Sequence, residues 1–131
     1  PVSDHLLRDA EHYGLTAAGV GERLRQVVAC ARGRVPGLGV GLIDACRAPL
    51  ERVLDLARPL GEWGVDRLVI YDSVGTMLPA RMTTLVAEVR RQCGLPVLVH
   101  CHNDHGLATA NPAQVCQRPM TVLIRDSWSG P

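Results

Sequence analysis

Val99-His100-Cys101-His102-Asn103-Asp104-His105-Gly106-Leu107-Ala108-Thr109-Ala110-Asn111 is an apolar strand end that turns into two alternate histidines and then a polar turn. Side chains at i and i+2 share one face of a strand, so His100 and His102 can offer two imidazoles to one cation. Alternating histidines also occur on wet strand faces that bind nothing, and here the neighbours favour ligation. Pro96, Val97, Leu98 and Val99 form the continuous apolar run of a buried parallel strand. Asn103, Asp104 and Gly106 then bring turn and helix-cap chemistry. Polar side chains at the carboxyl ends of such strands are where α/β proteins bind ligands. Cys101 points to the opposite face and reads as a packed small hydrophobe.

The same pattern recurs upstream. Apolar runs end in polar residues at Asp44, Asp72 and His100, about 28 residues apart, close to the βαβ repeat of about 30. Strands are expected near 35–43, 66–72 and 96–101, with a fourth near 120–125. Helical periodicity fills the intervals. One helix is expected over 16–32, with Thr16 as cap, Val20, Leu24, Val27 and Val28 inward and Gly33 as terminator. A second spans 48–62, with Leu50, Val53, Leu54, Leu56, Ala57 and Leu60 on its apolar face and Pro59 shortening or kinking its last turn. A third spans 79–92, with Pro79 at its first position and Met82, Leu85, Val86 and Val89 inward. Such alternation gives a parallel sheet, either open and doubly wound or part of a (β/α)8 barrel.

Composition narrows the function classes. With 131 residues, 47% hydrophobic content and a formal charge of +1, the chain reads as one soluble unit with material for a core. Its arginines are scattered, there are only two Trp, two Tyr and no Phe, and no basic stretch is interleaved with aromatics for stacking on bases, so a nucleic-acid partner is not expected. No apolar run approaches the roughly 20 residues that span a bilayer, and no leader pattern is visible, so no membrane is expected. Five cysteines, Cys30, Cys46, Cys93, Cys101 and Cys116, lack a C-x-x-C pair and fit a reducing cytoplasm better than a disulfide framework or zinc ribbon. Gly37-Leu38-Gly39-Val40-Gly41 lacks phosphate-loop spacing and reads as a strand whose glycines admit close packing. Asp66-Arg67 reads as a charge pair opening a strand, His12 and Tyr13 as polar turn residues, and His105 as a loop contact.

His100 to Asn111 resembles the His-x-His-Asn-Asp-x-Gly-Leu-Ala-x-Ala-Asn signature of the isopropylmalate and homocitrate synthase family, a twelve-residue pattern with three free positions. Tyr71-Asp72-Ser73-Val74-Gly75-Thr76-Met77-Leu78-Pro79 is similar to the family's Asp-Thr-Val-Gly-x-x-x-Pro segment. Asp44-Ala45-Cys46-Arg47-Ala48 is similar to its Glu-Asp-Ala-Ser-Arg-Ala segment, and Ser3-Asp4 with His5 resemble an element at the barrel mouth. The resemblance runs through residues 1–116 in order, nearest to homocitrate synthases of the nitrogen-fixation type. It implies an α/β fold that is a partial (β/α)8 TIM barrel, roughly the C-terminal half. A complete barrel takes about 250 residues.

The resemblance further implies a divalent metal (Mn, Mg or Zn) on His100 and His102, with substrate contacts from Ser73 and Arg47. Asn103, Asp104 and Asp72 are then expected to orient the imidazoles. The reaction implied is condensation of acetyl-CoA with a 2-oxo acid such as 2-oxoglutarate, with isopropylmalate or citramalate synthesis or a related lyase as alternatives. The partner expectation is a homo-oligomer or a complementary half-barrel. Three departures stand beside it. The family's third ligand, an Asp at the end of the first strand, is not expected within residues 1–131, where Leu7-Arg8-Asp9 only superficially echoes its motif. Ile43 occupies the position of a family Glu. Residues 117–131 form a divergent tail rather than the family's Gly-rich continuation, so a remnant without catalysis is the alternative of another class.

Overall fold

The computed structural model describes residues 2–4, 14 and 16–115. The expected strand near 120–125, the 117–131 tail, Cys116, and the His5, Asp9, His12 and Tyr13 readings lie outside these residues. Helix α1 (Ala17–Ala31) is followed by strand β1 (Gly39–Leu42), a 3-10 turn (Ala45–Arg47) and helix α2 (Leu50–Ala57). Strand β2 (Arg67–Asp72), helix α3 (Pro79–Cys93), strand β3 (Val97–Cys101) and helix α4 (Ala110–Val115) complete the order.

The three strands form one parallel sheet in chain order, with Leu42 opposite Ile70, Ile70 opposite Val99, and Tyr71 opposite His100. This register aligns side chains into two faces. Val40, Leu42, Leu68, Ile70, Val97 and Val99 point into the core shared with the helices, and all are buried. Each such side chain contributes about 1.5–3 kcal/mol of burial. On the opposite face, Gly41, Val69, Tyr71 and His100 are exposed or half-buried. The helices continue the core through Val28, Val53, Leu54, Met82, Val86 and Val89.

Local chemistry sets most element ends. The Thr16 hydroxyl accepts from the Gly19 amide at 3.0 Å and caps α1, and Gly33 leaves the helix with φ +76°. Pro79 opens α3, and Gly94, at φ +67°, closes it by donating its amide to the Arg90 carbonyl at 3.0 Å. Two of the expected apolar positions face outward instead. Val27 is 57% and Leu50 42% exposed. Val27 lies 100° around the helix from Val28, which takes the inward position, and Leu50 lies at the first residue of α2, ahead of its buried turn. Helix α2 is also shorter than 48–62, because Pro59 has no amide to extend the ladder; the chain instead turns through Gly64 at φ +81°. Strand β1 begins late, after Pro36 and Gly37, where the Leu38 amide donates to the Asp66 carboxylate at 2.7 Å. The pair Asp66-Arg67 does open β2: Asp66 ties it to the approach of β1.

Candidate functional site

Parallel strands bring their carboxyl ends to one edge of the sheet, and Ile43-Asp44, Asp72-Ser73 and His100–His102 all lie there. At the end of β3 the His100 and His102 rings stand with centroids 5.2 Å apart. The His100 imidazole stacks on Tyr71 at 4.7 Å with 29° between the planes. Tyr71 in turn lies over Gly41, where a Cβ would come within 2.9 Å of its Cε2. The glycines of β1 thus admit a ring rather than a phosphate. Cys101 is buried on the other face, as alternation requires.

His102 is held from the neighbouring loop. Its amide donates to the Asp72 carbonyl at 3.1 Å, extending the β2–β3 ladder by one residue. The Asp72 carboxylate, fully buried, accepts from the Thr76 and Met77 amides at 3.2 and 3.1 Å and so folds that loop back over the strand end. Asp104 Oδ2 lies 4.0 Å from His102 Nδ1. Asn103 Oδ1 accepts from the Ala108 amide at 3.3 Å, shaping the turn before α4. Asn103, Asp104 and His105 are all exposed.

A second constellation surrounds Asp44. This residue is buried and left-handed, with φ +63°, and it is the one non-glycine residue with positive φ among those described. Its carboxylate accepts from Arg47, Nε to Oδ1 at 2.8 Å and Nη2 to Oδ2 at 2.6 Å, and from the Ser3 hydroxyl. The Asp44 amide donates to Ser73 Oγ at 3.0 Å, so Ser73 bridges the ends of β1 and β2 and keeps its hydroxyl hydrogen for another acceptor. Arg47 therefore stands at the strand ends with its guanidinium turned onto Asp44. Ile43, beside it, is 48% exposed.

Beneath the loops, burial and the nearby Asp72 carboxylate push the Cys101 thiol up to about 11. Burial, then the charges of Asp72, Cys101 and Asp44, raise Cys46 as well. Both are inert thiols at neutral pH. Buried Asn111 donates through Nδ2 to the Met77 carbonyl at 2.9 Å and lies beside Cys101; its Oδ1 has no hydrogen-bond partner among the described residues. Among the described residues no three of His, Cys, Asp and Glu converge as a metal cluster. The imidazole pair, half-buried with centroids 5.2 Å apart, could supply two ligand positions.

The HMGL-like family model matches residues 3–121. The chain belongs to the HMGL-like family. A Frankia alni homocitrate synthase is 38% identical over 121 residues, covering 92% of this chain and 34% of that protein. The homocitrate synthase AksA of Methanopyrus kandleri is 37% identical over 90 residues, covering 69% and 23%. A putative (R)-citramalate synthase of Archaeoglobus fulgidus is 41% identical over 71 residues, covering 54% and 14%. The chain spans about a third or less of these relatives. Among solved structures, the Bacillus subtilis HMG-CoA lyase superposes with a TM-score of 0.74 at 23% identity, covering 91% of this chain and 42% of the lyase. The carboxyl transferase domain of Rhizobium etli pyruvate carboxylase, with pyruvate, gives 0.68 at 18%, covering 80% and 19%. These likenesses choose between the two parallel-sheet architectures: the three strands are a segment of a (β/α)8 barrel, and Gly41, Tyr71 and His100 lie on its interior face. The resemblance read from the His-x-His-Asn-Asp signature is borne out.

Three residues of the site carried no assigned role in the sequence reading: Asp44 as a hub, Gly75 against the His102 backbone, and Asn111 under the loop. A glycine two residues past Ser73, in a turn after a strand, was the available signal for a positive φ.

Proposed function

We propose that this chain carries part of the active site of an acyltransferase that joins acetyl-CoA to a 2-oxo acid, homocitrate synthase-like, with water hydrolysing the thioester to release CoA. The observation that carries the reading is the pair His100 and His102, with ring centroids 5.2 Å apart at the carboxyl end of β3. The relatives named as homocitrate and citramalate synthases support it. Citramalate synthesis, with pyruvate as the 2-oxo acid, is the second reading, favoured by the 41% identity to the archaeal protein.

Two imidazoles on one face suit a divalent ion of the Mn, Mg or Zn group that keeps open positions. When bound, such an ion polarises the ketone of the 2-oxo acid as a Lewis acid. His100 and His102 would hold it. Ser73 has a hydroxyl hydrogen to donate to the substrate carboxylate. Arg47 adds positive charge at the strand ends, tempered by Asp44. Asp72 keeps His102 in place through its carbonyl, while Asn103 and Asp104 shape the loop beside the ring. Ile43 neither accepts nor donates a proton, so this position contributes no acid–base step. Four free cysteines among the described residues fit the reducing cytoplasm where acetyl-CoA is used. Among the described residues, no helix is long and apolar enough to cross a membrane.

Calorimetric titration of the chain with Mn²⁺ and Zn²⁺, with and without 2-oxoglutarate or pyruvate, tests the reading beside a His100→Ala/His102→Ala variant. Micromolar binding, strengthened by one oxo acid and lost in the variant, supports it. Binding that is absent, or unchanged in the variant, overturns it.

A further inference from the structure

We infer that Gly75 is a positioning residue for His102: the loop from Asp72 to Met77 clamps the His102 backbone, and only glycine at position 75 lets the clamp close. Gly75 has φ +63°, a conformation L side chains rarely adopt. A Cβ built there would lie 2.6 Å from the His102 carbonyl oxygen and 3.1 Å from the Asp104 amide nitrogen. Both are backbone atoms and cannot swing aside as a flexible side chain would. The contact is therefore backbone against backbone, between the loop after β2 and the loop after β3.

Four hydrogen bonds hold the clamp shut. The Asp72 carbonyl takes the His102 amide at 3.1 Å, so the residue is gripped at its N–H and its C=O. The Asp72 carboxylate fixes the loop's own amides at Thr76 and Met77. Buried Asn111 anchors the far end, donating to the Met77 carbonyl at 2.9 Å from α4. His100 lies inside the regular β2–β3 ladder, opposite Tyr71, and needs no such device. His102 lies one residue past the strand, where the chain would otherwise be free to turn. The separation of the two rings depends on this loop.

The inference rests on the metal reading only for its consequence in binding, so the test has a metal-free arm. Histidine-ring ¹H–¹³C spectra of the 131-residue chain, at one fixed pH and without metal, are compared for the native protein, Gly75→Ala and Thr76→Ala, whose exposed side chain serves as control. The expected result is a shifted or broadened His102 signal in Gly75→Ala, an unmoved His100 signal, and no change in Thr76→Ala. With Mn²⁺ as probe, Gly75→Ala should bind at least tenfold more weakly, in the range seen when residues that orient metal ligands are altered. A native chain that binds no Mn²⁺ overturns the metal reading and leaves the spectral prediction standing. Should Gly75→Ala fail to fold, amide hydrogen exchange in the native chain decides: the His102 amide is expected to exchange as slowly as that of Val99. Exchange as fast as that of Asp104, or an unmoved His102 signal in folded Gly75→Ala, overturns the inference.

Discussion

The Tyr71 ring stacks on the His100 imidazole at 4.7 Å and owes its position to the missing side chain of Gly41 beneath it. A residue on β2 thereby sets a ring on β3 through a vacancy on β1. Tyr71→Ala is expected to move the His100 ring protons downfield as the ring current is lost, and Tyr71→Phe to leave them in place. Gly41→Ala, whose Cβ would meet Tyr71 Cε2 at 2.9 Å, should displace the same signals and cost about 1 kcal/mol by overcrowding, read from urea unfolding.

The Asp44–Arg47 pair is asymmetric, since the Asp44 side chain is 0% and that of Arg47 32% exposed. Removing the arginine takes the positive charge from a buried carboxylate and leaves it the Ser3 hydroxyl, whereas removing the carboxylate frees an arginine that can reach water. Arg47→Ala is therefore expected to destabilise by about 3 kcal/mol. Asp44→Asn should cost about 1 kcal/mol, because asparagine keeps the side-chain shape and one acceptor oxygen, loses the acceptor at the other, and tolerates the left-handed backbone. Equal losses in paired urea melts would show that burial does not govern this pair.

Burial raises the Cys101 thiol from 9.0 to about 11 in the folded chain. Below pH 9 both folded and unfolded chains hold the proton, and the contribution is complete. As pH rises from 9 through 11 the unfolded chain ionises first, so stability must fall across that window. The loss should be steeper in the native chain than in Cys101→Ala, measured by thermal melts at stepped pH. Alkylation of Cys101 by iodoacetamide at neutral pH should be slower than that of exposed Cys30.

Ile43 stands 48% exposed at the strand ends, at the position where the sequence resemblance implies Glu. Ile43→Glu is expected to leave stability within about 0.5 kcal/mol of the native chain, as for an ordinary surface change. A larger loss by thermal melt would mean that the isoleucine is packed in solution.

Periodicity was enough to place three strands and three helices, while the 3-10 turn at Ala45–Arg47 and helix α4 were not read from it. The 28-residue spacing of Asp44, Asp72 and His100, the alternation within each strand and the helix-end residues Thr16, Gly33 and Pro79 are local facts, legible because they depend on neighbours in the chain. Helix α2 ended early for a local reason too, the missing amide of Pro59. Which of Val27 and Val28 faces inward was not legible, because adjacent apolar residues compete for one direction and packing settles the choice.

The chain's order thus determined the parallel β/α architecture, the family signature and the pairing of His100 with His102 on one strand face, since each follows from bond geometry and a spacing of a few residues. Only the tertiary structure decided that Asp44 would gather Ser3, Arg47 and Ser73, that Gly41 would make room for Tyr71, and that Gly75 would lie against His102. Apart from Arg47, three residues from Asp44, those contacts join residues some 27 to 41 positions apart and exist only once the sheet register has brought the strand ends together.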